Sequence, residues 1–383
     1  MTPGSGTVVR RSPRRPEEGV WSTAGEELLG APVAAGVWVT ALPFPTPLRF
    51  SCSYLVETDA GLVVVDLGWD SDDSWQRFLT GLSRAGKQLD DVSGIVVTHA
   101  HPDHYGLAAR LRSVSDAWIA LHPGEQPALA VDEAAARRRL ADMAAWLVAC
   151  GADAEEIDSL HAEAAEMSLR FPNVRPDLDL KDGAPIPETD GSLVAVHTPG
   201  HTPGSVCFVD RGRGLVFTGD HVLPRVTPNI SKRPTSDEDP LADYLRSLHR
   251  LSQMDGAPPA QLVALPGHEW GFGGLGERSA EIDAHHAARL EEMATAVRAG
   301  HDTVWAVAHA VSWSRPFADL PARARRSAIG ETHAHLHRLY RAGTLRWIPG
   351  QVERWEAMPA RPGPAPEPGS ADTGRTNEEV RQG

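Results

Sequence analysis

Residues 98–104 read Thr-His-Ala-His-Pro-Asp-His and follow the apolar run Gly94-Ile95-Val96-Val97. Three imidazoles and one carboxylate within seven positions make a dense set of ligands for zinc and other borderline divalent ions. His99 and His101 stand two apart, and Asp103 and His104 follow directly. That spacing suits a loop wrapped around cations, because partners on one helix face recur at three and four. More residues of these types end apolar, strand-like runs: His201 in HTPGHTPGS, Asp220 in FTGDH and His268 in LPGHE. An open α/β fold gathers its site residues at such strand ends, in turn-rich loops.

The elements that must position these loops are legible as alternating patterns. GVWVTAL, CSYLVET and GLVVVDLG are three short β-rich runs from Gly36 onward, as expected of a meander feeding one sheet. A helical pattern after Asp70 (Trp75, Phe78, Leu79, Leu82) gives way to GIVVTH, a second helical stretch at Leu107–Leu111, then AWIALH. This alternation indicates an α/β arrangement. Residues 124–180 break the rhythm: Asp132 and Asp153 stand as N-caps before alanine-rich stretches, and Cys150-Gly151 reads as a C-terminal stop. They predict a helical insertion, whose apolar stripe of Met143, Trp146 and Leu147 either packs or lies as a lid over the pocket. Its place before the strand leading to His201 favours the lid. Strands resume with SLVAVH, SVCFVD and GLVFTGD, then a helix at Pro240–Leu251, QLVALPGH and a helix through Ile282–Val297.

Composition excludes some classes. The 383 residues, 41% hydrophobic, suffice for one large domain and a smaller one. A net charge of −14 repels polyanions at long range and disfavours general nucleic-acid binding. Cys52, Cys150 and Cys207 form no CxxC pair, so neither a disulfide framework nor a thiolate zinc site is indicated, and a reducing cytoplasm is expected. No apolar stretch reaches the roughly 18 residues of a membrane span, and no hydrophobic segment follows the N-terminal arginines. A soluble, unexported chain without membrane contact is therefore expected. The ends lack apolar periodicity and read as disordered tails, the C-terminal one rich in proline.

Taken in order, THAHPDH, TPGHTPGS, TGD and PGH resemble the metal motifs of the metallo-β-lactamase-fold hydrolase superfamily, from about Gly36 to Leu290. Asp66-Leu67-Gly68 is similar to its early Asp-x-Gly, whose carboxylate supports the metal loop from behind. The resemblance implies a four-layer αββα sandwich over residues 22–300, carrying the insertion at about 124–180; the tails read from composition take residues 1–21 and 358–383. It implies two zinc ions, with iron or manganese as alternatives: His99, His101 and His201 on one, Asp103, His104 and His268 on the other, and Asp220 bridging. Water between two such cations loses its proton near neutral pH and becomes the nucleophile. Hydrolysis of a small ester, thioester or lactone is the implied activity, with Asp220 and Asp103 in the catalytic machinery. True β-lactamases of this fold generally have cysteine or serine in place of Asp220, which disfavours antibiotic hydrolysis.

Residues 301–357 (TVWAVA, then ETHAHLHRL, then AGTLRW) resemble the small winged-helix-like C-terminal module of the LACTB2-like branch, near the glyoxalase II-like proteins. Some members of that branch cleave single-stranded RNA. Eight arginines against five acidic residues make this part basic, so a metal-dependent single-strand RNA endonuclease is a first alternative function, against simple packing of the module on the hydrolase domain. A second alternative is a mononuclear iron persulfide dioxygenase, since the same ligands hold a single iron in that branch of the fold. Around the ligands, His221 is a candidate acid for the leaving group, and Tyr105, Arg225 and Asn229 are candidate substrate contacts. His333, His335 and His337 alternate on a helical pattern and are expected at the surface. His197 is expected to pack at a strand end near the site.

Overall fold

The computed structural model of the chain describes residues 9–10, 24–129, 133–168, 174–232, 238–255 and 261–359. The expected tails lie outside these apart from Val9–Arg10 and residues 358–359, as do residues 130–132 and 169–173 of the expected insertion.

Among the described residues the first sheet runs β2 (Ala31–Ala34), β3 (Val37–Pro43), β4 (Phe50–Thr58), β5 (Gly61–Val65), β6 (Val92–Val96), β7 (Trp118–Leu121) and β8 (Leu178–Asp179). Its first four strands form the antiparallel meander, and β5 to β8 run parallel. The second sheet runs β1 (Val9–Arg10), β13 (Gly271–Phe272), β12 (Val263–Pro266), β11 (Leu215–Gly219), β10 (Val206–Asp210) and β9 (Leu193–His197). Around them lie helices α1 (Ala24–Glu27), α2 (Asp72–Arg84), α3 (Pro102–Tyr105), α4 (Ala108–Arg112), α5 (Glu133–Ala149) and α6 (Ala154–Ser168). Helices α7 (Pro240–Asp255), α8 (Leu275–Arg298), α9 (Val304–Ala310) and α10 (Ala322–Arg341) precede a hairpin, β14 (Leu345–Ile348) and β15 (Arg354–Ala357).

Period-two alternation sorts the strand side chains into layers. Cys52, Tyr54, Val56, Val63 and Val65 pack with Ala195, Val206, Phe208 and Phe217 of the opposite sheet. Their neighbours Leu55, Leu62 and Val64 pack with Phe78 and Leu82 of α2. On the far side, Cys207, Val209 and Val216 meet Tyr244 and Leu248 of α7 and Ile282 of α8. This is the expected αββα sandwich. A one-residue slip of β4 would exchange the faces of all its side chains, each fully buried Leu or Val being worth roughly 1.5–3 kcal/mol. Register is thereby fixed, and with it the strand ends that carry the site. Helix α2 starts where Ser71 accepts a hydrogen bond from the Ser74 N–H at 3.1 Å, with Asp72 and Asp73 in the first turn.

The insertion and the C-terminal segment share one apolar core. Trp146, Leu147, Cys150 and Leu160 pack with Val304, Val307, Phe317, Ile329 and Leu336, and the Trp146 indole donates to His333 Nδ1 at 2.9 Å. The stripe expected to form a lid thus spends its surface on the C-terminal segment. The expected surface positions of His333, His335 and His337 are also corrected, since all three are buried. Helix α10 packs against α6, α7, α8, α9 and β14, so opposite sides of it are covered and alternation no longer places a residue in water.

Candidate metal centre

The site forms where strands β5, β6, β11 and β12 end. Asp66 follows β5, Thr98 and His99 follow β6, Asp220 follows β11 and His268 follows β12, while His201 sits in the β9–β10 loop. Parallel pairing of β5 with β6 and of β11 with β12 brings these carboxyl ends side by side. His104 is carried by α3, which begins at Pro102 with His101 as its N-cap; proline suits this first position because its missing N–H has no partner there anyway. Close approach demands glycine at Gly267, where a Cβ would lie 2.5 Å from His104 Cε1 and 2.7 Å from Asp220 Oδ1.

The structure brings together all seven residues proposed as ligands, in three overlapping groups: His99, His101 and His201; His99, His104 and Asp220; Asp103, His104 and His268. Asp220 stands between the two sides. Its Oδ1 lies 3.3 Å from His104 Nε2 and 3.4 Å from His268 Nε2, and its Oδ2 lies 3.8 Å from His201 Nε2. Asp103 Oδ2 is 3.3 Å from His268 Nε2. Across the cluster, His101 Nδ1 is 2.9 Å from His99 Nε2 and 3.1 Å from His201 Nε2.

Three of the imidazoles are turned by a partner behind them. His201 Nδ1–H donates to the Asn229 carbonyl at 2.9 Å, His268 Nδ1–H to the Phe50 carbonyl at 2.8 Å, and His104 Nδ1–H to Asp66 at 2.8 Å. These bonds fix the tautomer and leave Nε2 lone pairs aimed inward. Asp66 also accepts from the Thr98 N–H at 2.7 Å and the Thr98 hydroxyl at 2.8 Å. It does so from a left-handed backbone with φ 61°, a conformation that is unfavourable for a non-glycine residue and persists where surrounding bonds over-determine it.

Burial and the neighbouring imidazoles hold His99 well below the ordinary histidine range, and burial together with His201 lowers His101 to about 3. Both are neutral at physiological pH, the form in which imidazole binds a cation. On the other side burial works against charge too, but Asp220 and Asp103 prevail and raise His268 to about 10. His104 is likewise raised by Asp220 and Asp66, while burial opposes. Burial pushes Asp103 up, and His104 and His268 more than offset this, holding it down to about 2. Without a cation, the carboxylates draw protons onto imidazoles that belong to a ligand set. His104 Nε2, His268 Nε2 and Asp220 Oδ1 are moreover buried without a hydrogen-bond partner among the described residues, a costly state that divalent cations relieve. The donor set fits such cations.

One supporting residue was not singled out from the sequence. Glu125, 1% exposed, accepts from the Ala100 N–H at 2.8 Å through one oxygen and from the Gly204 N–H at 2.7 Å through the other. It ties the loop of His99 and His101 to the loop of His201. Its motif, LHPGEQP, carries no ligand pattern, and nothing in the spacing would have found it. Glu125→Gln is expected to weaken metal binding by about 10–100-fold, because the amide NH2 must face a backbone N–H. Competition with a chelator, alongside a melting curve, checks this; unchanged metal affinity would refute the role.

Four residues expected to serve the substrate make other contacts in the structure. Tyr105 does not face a substrate: it is fully buried among Phe78, Leu107 and Leu111, and its hydroxyl donates to the Val174 carbonyl at 3.3 Å. Asn229 serves His201 through its carbonyl, and its side chain donates to the Ser327 carbonyl at 3.1 Å and accepts from the Ser231 hydroxyl. His221 is 2% exposed, edge-on to Tyr244 at 5.0 Å, and lowered to about 3 by burial and by His201. A neutral imidazole is too weak an acid to protonate a leaving group at physiological pH. Arg225 lies on the Glu269 carboxylate at 2.7 Å and over the Trp270 ring at 5.2 Å, bracing the residue after His268. Glu269 has φ 71°, so this bond holds a strained backbone. His197 stacks on His122 at 4.0 Å and bonds the Pro203 carbonyl. All three cysteines are free and buried, and no described helix is long and apolar enough to cross a membrane.

Comparison with known proteins identifies the family. The human acyl-coenzyme A thioesterase MBLAC2 is 32% identical over 178 residues, which cover 46% of this chain and 56% of that protein. The probable metallo-hydrolase YqjP of Bacillus subtilis is 27% identical over 239 residues, 60% of this chain and 71% of the relative. The crystal structure of a metallo-beta-lactamase family protein from Thermus thermophilus is 29% identical with a TM-score of 0.67, covering 85% of this chain and 99% of that one. The sequence profile described as Metallo-beta-lactamase superfamily matches residues 46–268, a span that begins before β4 and ends on His268. The chain therefore belongs to the metallo-beta-lactamase superfamily and is a metal-binding hydrolase of that fold.

Proposed function

We propose that the chain is a dinuclear metal-dependent hydrolase of small acyl thioesters. The observation that carries this is the position of Asp220, one oxygen towards His104 and His268 and the other towards His201. His99, His101 and His201 would hold one cation, Asp103, His104 and His268 the other, and Asp220 both. Cations in such a site lower the pKa of water towards neutrality and polarise a carbonyl oxygen. The protein's own groups supply orientation: Asp66, Phe50 and Asn229 fix three imidazoles, and Asp103, ionised at neutral pH, accepts a hydrogen bond from attacking water. The thioester class is supported by the likeness to MBLAC2, of which the chain spans 56%.

The test is hydrolysis of a medium-chain acyl-CoA thioester by zinc-loaded protein, with metal content measured on freshly purified material. Turnover lost on chelation and regained with zinc, at about two ions per chain, is the expected result. A metal-loaded protein that leaves acyl thioesters intact would refute the substrate class, and one iron per chain would replace hydrolysis with persulfide oxidation.

A further inference from the structure

Helix α10 is held against the metal loops. Asn229, whose carbonyl orients His201, donates through its side chain to the Ser327 carbonyl, and the Lys232 N–H donates to the Gly330 carbonyl at 3.1 Å. Arg323 precedes Ser327 by four positions and lies on the same side of the helix. Its guanidinium carbon is 5.5 Å from the centre of the Phe44 ring, which stacks on the His268 ring at 5.9 Å and meets Trp69 at 5.4 Å. Arg323 thus stands one aromatic ring away from a candidate metal ligand.

Beyond the Phe44 ring, no contact among the described residues gives it a structural task. Arg225 is bound to Glu269, and Arg325 to Glu156 and the Leu320 carbonyl. Arg323 is exposed, and among the described residues no carboxylate pairs with it. It also occupies the first turn of α10, which holds no acidic residue, although the helix dipole disfavours a cation there. A chain of net charge −14 repels anionic substrates at long range, so an unpaired guanidinium beside the site supplies a local attraction. Guanidinium binds phosphate and carboxylate in bidentate geometry.

Resting on the thioesterase reading of this site, we infer that Arg323 binds an anionic group, phosphate or carboxylate, on the thiol half of the substrate. The acyl half of an ordinary thioester carries no charge for it to meet, whereas CoA carries phosphates and glutathione carries carboxylates. Phe44 and Trp69 form the aromatic wall between that anion and the metal centre.

Calorimetric titration of zinc-loaded wild type, Arg323→Ala and Arg323→Lys with free CoA and free glutathione tests this directly. Arg323→Ala is expected to bind one of the two about tenfold more weakly, with Arg323→Lys between. Weakened CoA binding identifies phosphate as the group, and weakened glutathione binding identifies carboxylate. Equal affinity of wild type and Arg323→Ala for both thiols overturns the inference. In turnover, KM for the charged thioester should rise about tenfold with kcat within about twofold. The same acyl group on neutral N-acetylcysteamine should be unaffected, and an equal rise there also overturns it. Arg323-dependent thiol binding without thioester cleavage would refute the hydrolase reading alone; cleavage with binding indifferent to Arg323 would refute this inference alone.

Discussion

Asp220→Ala is expected to lower kcat by at least about 10³-fold. No other carboxylate among the described residues touches imidazoles of both ligand sets, with Oδ1 3.3 Å and 3.4 Å from His104 and His268 and Oδ2 3.8 Å from His201. Its removal takes a negative charge from each cation's surroundings and frees the two sides of the cluster to separate. The His104 and His268 rings, raised in pKa mainly by this carboxylate against the effect of burial, lose the negative charge that favours their protonated form in the metal-free state. The variant should therefore be measured for metal content and melting temperature as well as rate. A folded Asp220→Ala protein with its full metal complement and wild-type turnover would sink the mechanism. Asp220→Asn keeps the shape without the charge and is expected to fall near the alanine variant in rate.

Removing Asp66 should act behind the ligands. Its carboxylate receives the Thr98 N–H, the Thr98 hydroxyl and His104 Nδ1–H at 2.7–2.8 Å, and its carbonyl receives the Ser53 hydroxyl. Asp66→Ala leaves the three donors to the carboxylate unpaired, at about 1–3 kcal/mol each, keeps the Ser53 bond to the main-chain carbonyl, and places alanine in a left-handed conformation that Asp or Asn tolerates better. A stability loss of about 3 kcal/mol and a 10–100-fold loss of metal affinity are expected. Asp66→Asn retains the backbone and some acceptors, so its loss should be smaller. Denaturant unfolding of the metal-free protein measures the first effect and chelator competition the second. An Asp66→Ala protein with wild-type metal affinity would show that His104 needs no support from behind.

The two predictions differ in how far the sequence alone leads. Asp220 and the other ligand candidates are legible because each ends an apolar run, and a parallel α/β sheet places such ends on one edge. The layered sandwich was legible only through the family resemblance of these motifs; the structure then shows period-two alternation on β4 and β5 dividing Tyr54 from Leu55 and Val63 from Val64. Local pattern suffices where the physical constraint is local.

Other features depend on partners that the chain brings together from afar. Glu125 bonds Gly204, 79 residues away, and Trp146 bonds His333, 187 residues away; no spacing encodes either contact. Tyr105 follows a ligand in the sequence yet points into the core against α2, because successive residues of the short helix α3 face different ways. Helical periodicity locates a buried face only when another face meets water, and α10 is packed against five other elements, so His333, His335 and His337 escaped it. The sequence by itself determined the candidate ligands and their order, since these follow from short-range pattern and strand direction, and the sandwich through its resemblance to a known family. Tertiary structure alone decided which side chains brace the ligands, where the insertion spends its apolar stripe and which arginine stands beside the site, because each depends on long-range packing.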